Sequence, residues 1–278
     1  MNPRYTVNII SKGRHQRCLT ARELSAMGVP FRLIVEPQEL DLYSAVWGGI
    51  CDIIALPFSN LGRGSIPARN WVLDDSRNSG EARHWILDDN IERFYRLHEN
   101  EKYKVGDGTI FRCCEDFTER FANVRLSGMN YHTFCKATDA VPPFYANTRI
   151  YSCILVDNSI SHRWRGKYNE DTDLSIRVLK GGDCTILFNA FLCGKVTTMR
   201  MSGGNTGDIY GATNDRLEFA ESLASQHPDC VKVVRKFGRW HHQVDYRRFK
   251  RNLLAPSNDI QKNIHIDYKM RLKTRDEL

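Results

Sequence analysis

From Thr6 onward, short apolar runs alternate with segments in which apolar positions recur at helical spacing. Thr6–Ile10, Phe31–Val35, Cys51–Leu56 and Trp85–Leu87 read as four strands. Between the first two, Thr20-Ala21-Arg22-Glu23 has the form of a capping box, Leu24 and Met27 continue an apolar face, and Gly28 marks a stop. A helix-start signal, Ser65 followed by Pro67, predicts a helix near Ala68–Leu73. Asp88 and Asp89 then open a loop and, on a plain reading, cap a helix around Ile91–Leu97.

The second half yields fewer elements. Ile150–Val156 and Thr185–Phe188 read as strands, and Asp171–Lys180 as a helix with Leu174 and Val178 inward and Gly181 as its stop. Leu217–Leu223 is expected to be helical. Strands separated by helices predict a doubly wound α/β sheet. In such sheets ligands bind outside the carboxyl ends of the strands, so the loops at Ser11–Arg14 and at Asp88-Asp89 are expected to face one crevice. Neither G-x-G-x-x-G nor G-x-x-x-x-G-K-[ST] occurs, which argues against a dinucleotide fold and a P-loop NTPase.

Composition narrows the class further. The 278 residues carry 40 Lys+Arg and 33 Asp+Glu, a formal charge of +7, with 41% hydrophobic residues. This is globular composition with no repeat, no low-complexity linker and no apolar run long enough for a membrane span. The basic excess permits a polyanionic partner. Met1–Tyr5 lacks the apolar run of a signal peptide, so a cytoplasmic, non-secreted protein is expected, and the nine cysteines are read as reduced thiols that fill core positions.

Three constellations carry chemistry. Asp88-Asp89-Asn90 ends a buried strand, where carboxylates can hold a hard divalent cation or begin an ordinary loop. Glu170, Asp171 and Asp173 open a helix, where acidic first-turn residues favour the helix and a fixed carboxylate can also act as a base. His241 and His242 are adjacent on an extended segment and so point in opposite directions; one of them can complete a metal shell, or the pair belongs to a basic surface. Gly203, Gly204, Asn205 and Thr206 form a glycine-rich loop that closes over a ligand or makes a simple turn. Arg163, Arg165 and Lys167, and then Arg235, Lys236, Arg239, Arg247, Arg248, Lys250 and Arg251, interleave with Trp164, Trp240, Tyr246 and Phe249. Basic side chains on phosphates and aromatics under bases would make a nucleic-acid footprint, and a solvated surface would look the same.

The run Ala68-Arg69-Asn70, then Gly80-Glu81, then Trp85–Asn90 resembles the donor half of GT-A glycosyltransferases, with the acidic cluster in the part of the D-x-D motif. The match narrows with Val7–Arg14, Gly28–Phe31, Val35-Glu36-Pro37, Asn169–Ser175, Leu187–Phe191 and Met199–Thr206, which together resemble the TET-associated glycosyltransferase family from about Tyr5 to about Tyr246. That resemblance implies a GT-A α/β fold with a Rossmann-like, mostly parallel central sheet. It implies one domain over 1–278, with a donor half at about 1–97, an acceptor half at about 98–250 and a basic tail at 251–278. It implies a UDP-sugar donor and a 5-hydroxymethylcytosine or other hydroxymethylpyrimidine in DNA as acceptor, an association with phage and, if viral, the host cytoplasm as the place of action.

Carried over by residue, the resemblance places Ser11, Lys12, Arg14, Arg69, Asp88 and Asp89 on the nucleotide sugar. Mn²⁺ or Mg²⁺ would sit on Asp89 with His241 or His242, and Asp171 would be the base, with Glu170 and Asp173 in reserve. Two other readings keep the same residues: a GT-A enzyme with a protein or glycan acceptor, and a non-catalytic nucleic-acid-binding module.

Overall fold

The computed structural model describes residues 1–136, 138, 140–196, 216–258 and 267–269. The opening strands β1 (Val7–Ile10), β2 (Arg32–Val35), β3 (Asp52–Ala55) and β4 (Arg83–Asp88) are nearly continuous apolar runs. Such runs suit a parallel sheet covered on both faces, and all three pairings among these strands are parallel, in the order β3-β2-β1-β4. Helices α1 (Leu19–Ala26), α2 (Leu40–Trp47) and α3 (Ile66–Asn78) make the crossovers.

Beyond β4 the sheet becomes mixed. It continues through β9 (Cys153–Asp157), β7 (Val124–Tyr131), β10 (Cys184–Lys195), β5 (Ile91–His98) and β6 (Glu101–Lys104), while β8 (Phe144–Ala146) pairs with β10. This is the α/β arrangement expected from the sequence: a Rossmann-like parallel half joined edge to edge with a mixed half in one sheet. The helix expected at Ile91–Leu97 is instead strand β5. Its apolar positions Ile91 and Phe94 do sit at helical spacing, but β5 pairs with β10 from Ile91 to Arg96, and that ladder overrides the local pattern. β5 thus lies with the second half of the sheet, and the chain changes halves at Asp89-Asn90.

Alternation along the strands divides the core. Trp85 and Leu87 of β4, Leu33 and Val35 of β2, and Leu155 of β9 face α1, α2 and α4 (Thr109–Thr118). Ile86, Ile34, Ile154 and Val156 face α3 and α5 (Glu170–Lys180), where Val72, Leu73, Leu174 and Val178 meet them. The far side of α5 presents Ile176 and Leu179 to a third, smaller core with Leu223 of α6 (Leu217–Gln226), Val231 and Phe249. That core seats a two-stranded ribbon of β11 (Val231–Lys236) and β12 (Arg239–Val244). Trp164 and Phe249, 2% and 7% exposed, are core residues, so they offer no stacking surface to a base. Among the described residues no helix is long and apolar enough to cross a membrane.

Close packing in the middle of the sheet leaves no room for a side chain at Gly128 of β7. A Cβ there would stand 2.2 Å from the carbonyl oxygen of Cys153 and 2.7 Å from Ile150. Gly128→Ala is expected to lower stability by about 2–3 kcal/mol, read as a lower urea midpoint at unchanged slope.

Candidate functional site

Ile10 pairs with Asp88 in parallel register, so the residues that follow β1 and β4 emerge side by side. Ser11 Oγ donates to Asp89 Oδ2 at 2.8 Å, and Arg14 pairs with the other oxygen. The hydroxyl of Tyr43, from α2, lies 2.6 Å from Ser11 Oγ and accepts the Arg14 amide at 3.1 Å. Thr20 pins the acidic turn from the α1 side, donating to the Asp88 carbonyl at 2.6 Å and accepting the Ile91 amide at 2.9 Å. This use of Thr20 displaces the expected capping box. Helix α1 starts at Leu19 behind Cys18, and Glu23 reaches Arg93 at 2.5 Å.

Successive residues of a strand point to opposite faces, so Asp88 looks into the crevice while Asp89 is turned toward α1 and α2. Asp88 accepts from Arg69 Nη2 at 2.9 Å and from Lys195 Nζ at 2.6 Å. Burial would raise this carboxyl, but Lys195 and then Arg69 outweigh it and hold Asp88 well below the usual carboxylate range. For Asp89 the balance is reversed: burial pushes it up against the pull of Arg14 and Ser11. Lys195 reaches this point because β10 bulges between Gly194 and Lys195, which re-aims its last side chain. Its ammonium also donates to Ser152 Oγ at 2.8 Å and lies 5.7 Å from the Tyr131 ring centroid.

Helix α5 supplies the opposite wall. Asn169 caps it in the left-handed region (φ 56°), and its side chain donates to the Phe219 carbonyl at 2.8 Å. That kink delivers Glu170 and Asp171 to the crevice from the first turn. Asp171 accepts from Trp164 Nε1 at 2.9 Å and faces Arg69 Nη2 at 3.5 Å. Glu170 accepts from Ser65 Oγ at 3.1 Å. Burial raises both carboxyls above the ordinary range; Asp171 adds to the push on Glu170 and Asp88 to that on Asp171, and Arg69 offsets part of each. Arg69 is 3% exposed and held by Ser65 at 3.1 Å, with its Nη1 buried and without a partner.

One cavity of about 460 Å³ is lined by Ser11, Lys12, Arg14, Arg69, Asp88, Asp89, Glu170, Asp171, Lys195 and His242. The loops after the first and fourth strands therefore do share a crevice, with both acidic pairs on its walls. A smaller annex of about 160 Å³ shares Asn169, Arg216 and His242 with it and adds Tyr168, Phe219, Trp240 and His241. Burial, helped by Arg149 and His241, pushes His242 down to about 4, so its imidazole is neutral at pH 7. His241 Nε2 is buried without a partner.

Asp173 lies elsewhere. It is 1% exposed and bonded to Arg177 (2.8 Å), His227 (2.8 Å) and Arg165 (3.1 Å), which overcome burial and push it down to about 2. It ties α5 to the His227 segment and lines neither cavity. Gly203, Gly204, Asn205 and Thr206 fall outside the described residues. Lys195, at the end of a twelve-residue strand, escapes sequence reading because only the bulge turns it inward. Trp164 escapes it because it sits in a run of arginines.

A divalent cation in this crevice would find its donors already engaged. Both oxygens of Asp88 take Arg69 and Lys195, and both of Asp89 take Arg14 and Ser11. Among the described residues no group of three or more His, Cys, Asp or Glu is gathered around one point. The residues as arranged do not fit the expected Mn²⁺ or Mg²⁺ on Asp89 with His241 or His242; the positive charge in the crevice comes from Lys12, Arg14, Arg69, Arg149, Lys195 and Arg216.

Residues 5–204 match the family model described as TET-Associated Glycosyltransferase. The chain belongs to that family. No curated protein matches it. Among solved structures, this TET-associated glycosyltransferase is similar to TarS 1-349 of S. aureus at 8% identity and a TM-score of 0.44, over 68% of this chain and 59% of that one. The complex of the same TarS fragment with UDP gives a TM-score of 0.43, also at 8% identity and the same coverage. A mannose-1-phosphate geranyltransferase from Thermus thermophilus gives 0.31 at 13% identity, over 66% of this chain and 57% of that one. The chain thus spans less than two thirds of the length of these structures.

Glu170 and Asp171 hold protons more tightly folded than unfolded. The stability tied to them is complete below the ordinary carboxylate range and is lost as pH rises through their raised values. Asp171→Asn removes this pH-dependent cost. Its unfolding temperature relative to wild type is expected to rise by about 2 °C or more between pH 4 and pH 8, as followed by circular dichroism.

Proposed function

We propose that this protein transfers a sugar from a UDP-sugar to the hydroxyl of a hydroxymethylpyrimidine in DNA, with inversion at the anomeric carbon. The observation that carries the reading is the link from Asp88 through Arg69 to Asp171 across one cavity. A cation-rich wall and a protonatable carboxylate thus line one space within the usual range for ligand sites.

The diphosphate lies on the cationic side. Lys12, Arg14, Arg69 and Lys195 supply the charge that stabilises the leaving UDP, and the unpartnered Nη1 of Arg69 is a donor awaiting an acceptor. Asp171 takes the proton from the hydroxymethyl oxygen. That oxygen forms its bond to the anomeric carbon from the face opposite the diphosphate, and the bond from carbon to the diphosphate oxygen breaks with its electron pair leaving on UDP. Trp164 fixes the carboxylate of Asp171, and burial, with Asp88 nearby, keeps its proton affinity high, which suits a base that must take a proton from an alcohol.

The annex supports the choice of acceptor. Tyr168 and Phe219, with ring centroids 3.9 Å apart, line it with Trp240 and two imidazoles. Aromatic walls fit a flat base, and the unpartnered His241 Nε2 can read a base edge. A base held there has left the stack, by flipping or from a single strand.

Incubation of hydroxymethylcytosine DNA with UDP-sugars, followed by nucleoside mass spectrometry, is expected to show an added glycosyl mass. Transfer to a protein or glycan but to no DNA would reject the acceptor; no turnover of any UDP-sugar would reject the enzyme. Asp171→Asn should cut transfer by about 10²–10⁴-fold while UDP binding by calorimetry persists. The rate should rise with pH as the raised pair ionises, and Glu170→Gln, by removing a like charge, should move that limb to lower pH.

A further inference from the structure

The β11–β12 ribbon ends in a two-residue turn, Phe237-Gly238, closed by the pair Lys236 and Arg239. Both turn residues have positive φ, 52° and 72°. Turns of this kind favour Asn-Gly or Asp-Gly, and a bulky aromatic in the first position is strained. Phe237 is also 96% exposed, more than any other large hydrophobic side chain among the described residues. Neither cost is offset in folding, since the ring packs on no core. An asparagine would serve the turn better on both counts.

The ribbon around it is cationic. From Val231 to Val244 it carries Lys232, Arg235, Lys236 and Arg239 and no acidic residue, and none of the four forms an ion pair among the described residues. Its root holds His241 and His242 against the annex and the main cavity. His242 pairs with Val233, so the tip at Phe237 stands four residues above it, about 13 Å at the usual strand spacing. The major groove admits a two-stranded ribbon and is about 8.5 Å deep, so a ribbon of this length crosses it with its tip at the base stack.

We infer that the ribbon is a DNA probe whose Phe237 wedges into the stack beside the target pyrimidine and holds open the place it vacates. Apolar side chains inserted between base steps unstack them, and the basic flanks grip the phosphates on either side. The ribbon then does two tasks: its tip drives the base out, and β12 below the tip, with Trp240, His241 and His242, receives it. The inference rests on the DNA acceptor proposed above.

The test compares transfer to one hydroxymethylcytosine oligonucleotide as a single strand and as a matched duplex, for the wild type, Phe237→Asn and Phe237→Trp. Phe237→Asn suits the turn, so its unfolding temperature should match or exceed that of the wild type. Its duplex to single-strand ratio of kcat/KM should nonetheless fall about tenfold or more, and Phe237→Trp should restore it. 2-Aminopurine next to the target should brighten on binding wild type and stay dark with Phe237→Asn. An unchanged ratio, or an equal loss on both substrates, overturns the wedge and leaves the DNA acceptor standing. If no DNA is modified while UDP-sugar is still turned over, the acceptor reading falls and the wedge falls with it.

Discussion

The guanidinium of Arg69 is the point on which the site depends. It is buried, yet it is the common partner of Asp88 from the end of β4 and Asp171 from the start of α5, at 2.9 and 3.5 Å. A charge buried this deeply is tolerable only when paired, and the carboxylates that pair it come from different halves of the sheet. The ion network therefore acts as a clasp. It fixes the distance between two walls of a cavity, and it does so with groups that also set one another's protonation. Asp88 is held ionised between Arg69 and Lys195, while at Asp171 burial outweighs Arg69 and Trp164 and keeps the proton affinity raised.

This asymmetry gives two carboxylates on one cation opposite shifts, one lowered and one raised. The difference comes largely from Lys195, which a bulge at the end of β10 brings into hydrogen-bond contact with Asp88 and which acts only weakly on Asp171. A comparable pairing occurs at Asp89, whose burial beneath Ser11 and Arg14 makes it part of the floor that shapes the crevice. A divalent cation has little left to bind here, and basic side chains occupy the positions where one was expected.

Much of the first half was legible in the sequence for a simple reason. Apolar runs of strand length between turn residues leave few options once helices intervene, and the parallel order that results puts the loops after β1 and β4 together. The acidic helix start at Glu170-Asp171 was legible for the same kind of reason, because its chemistry and its helix signals coincide. Local patterns failed where tertiary contacts competed for the same atoms. Thr20 had a capping partner available in Glu23, but the acidic turn claimed its hydroxyl and Arg93 claimed the glutamate. Ile91–Leu97 carried a helical spacing, but an open sheet edge at β10 recruited it as a strand.

The residues alone determined that the chain is an α/β protein, that its charged chemistry gathers at Ser11–Arg14, Asp88-Asp89 and Glu170-Asp171, and that it resembles a glycosyltransferase family. These are properties of composition, order and spacing along one dimension. Only the tertiary structure decided which of three neighbouring acids face the cavity: the first turn of α5 sends Glu170 and Asp171 inward and Asp173 away to Arg165, Arg177 and His227. It also decided that Lys195 belongs to the site and that Phe237 stands alone at a ribbon tip. Side-chain direction depends on bulges, caps and the faces of packed elements, and those are settled by contacts between segments that lie far apart in the chain.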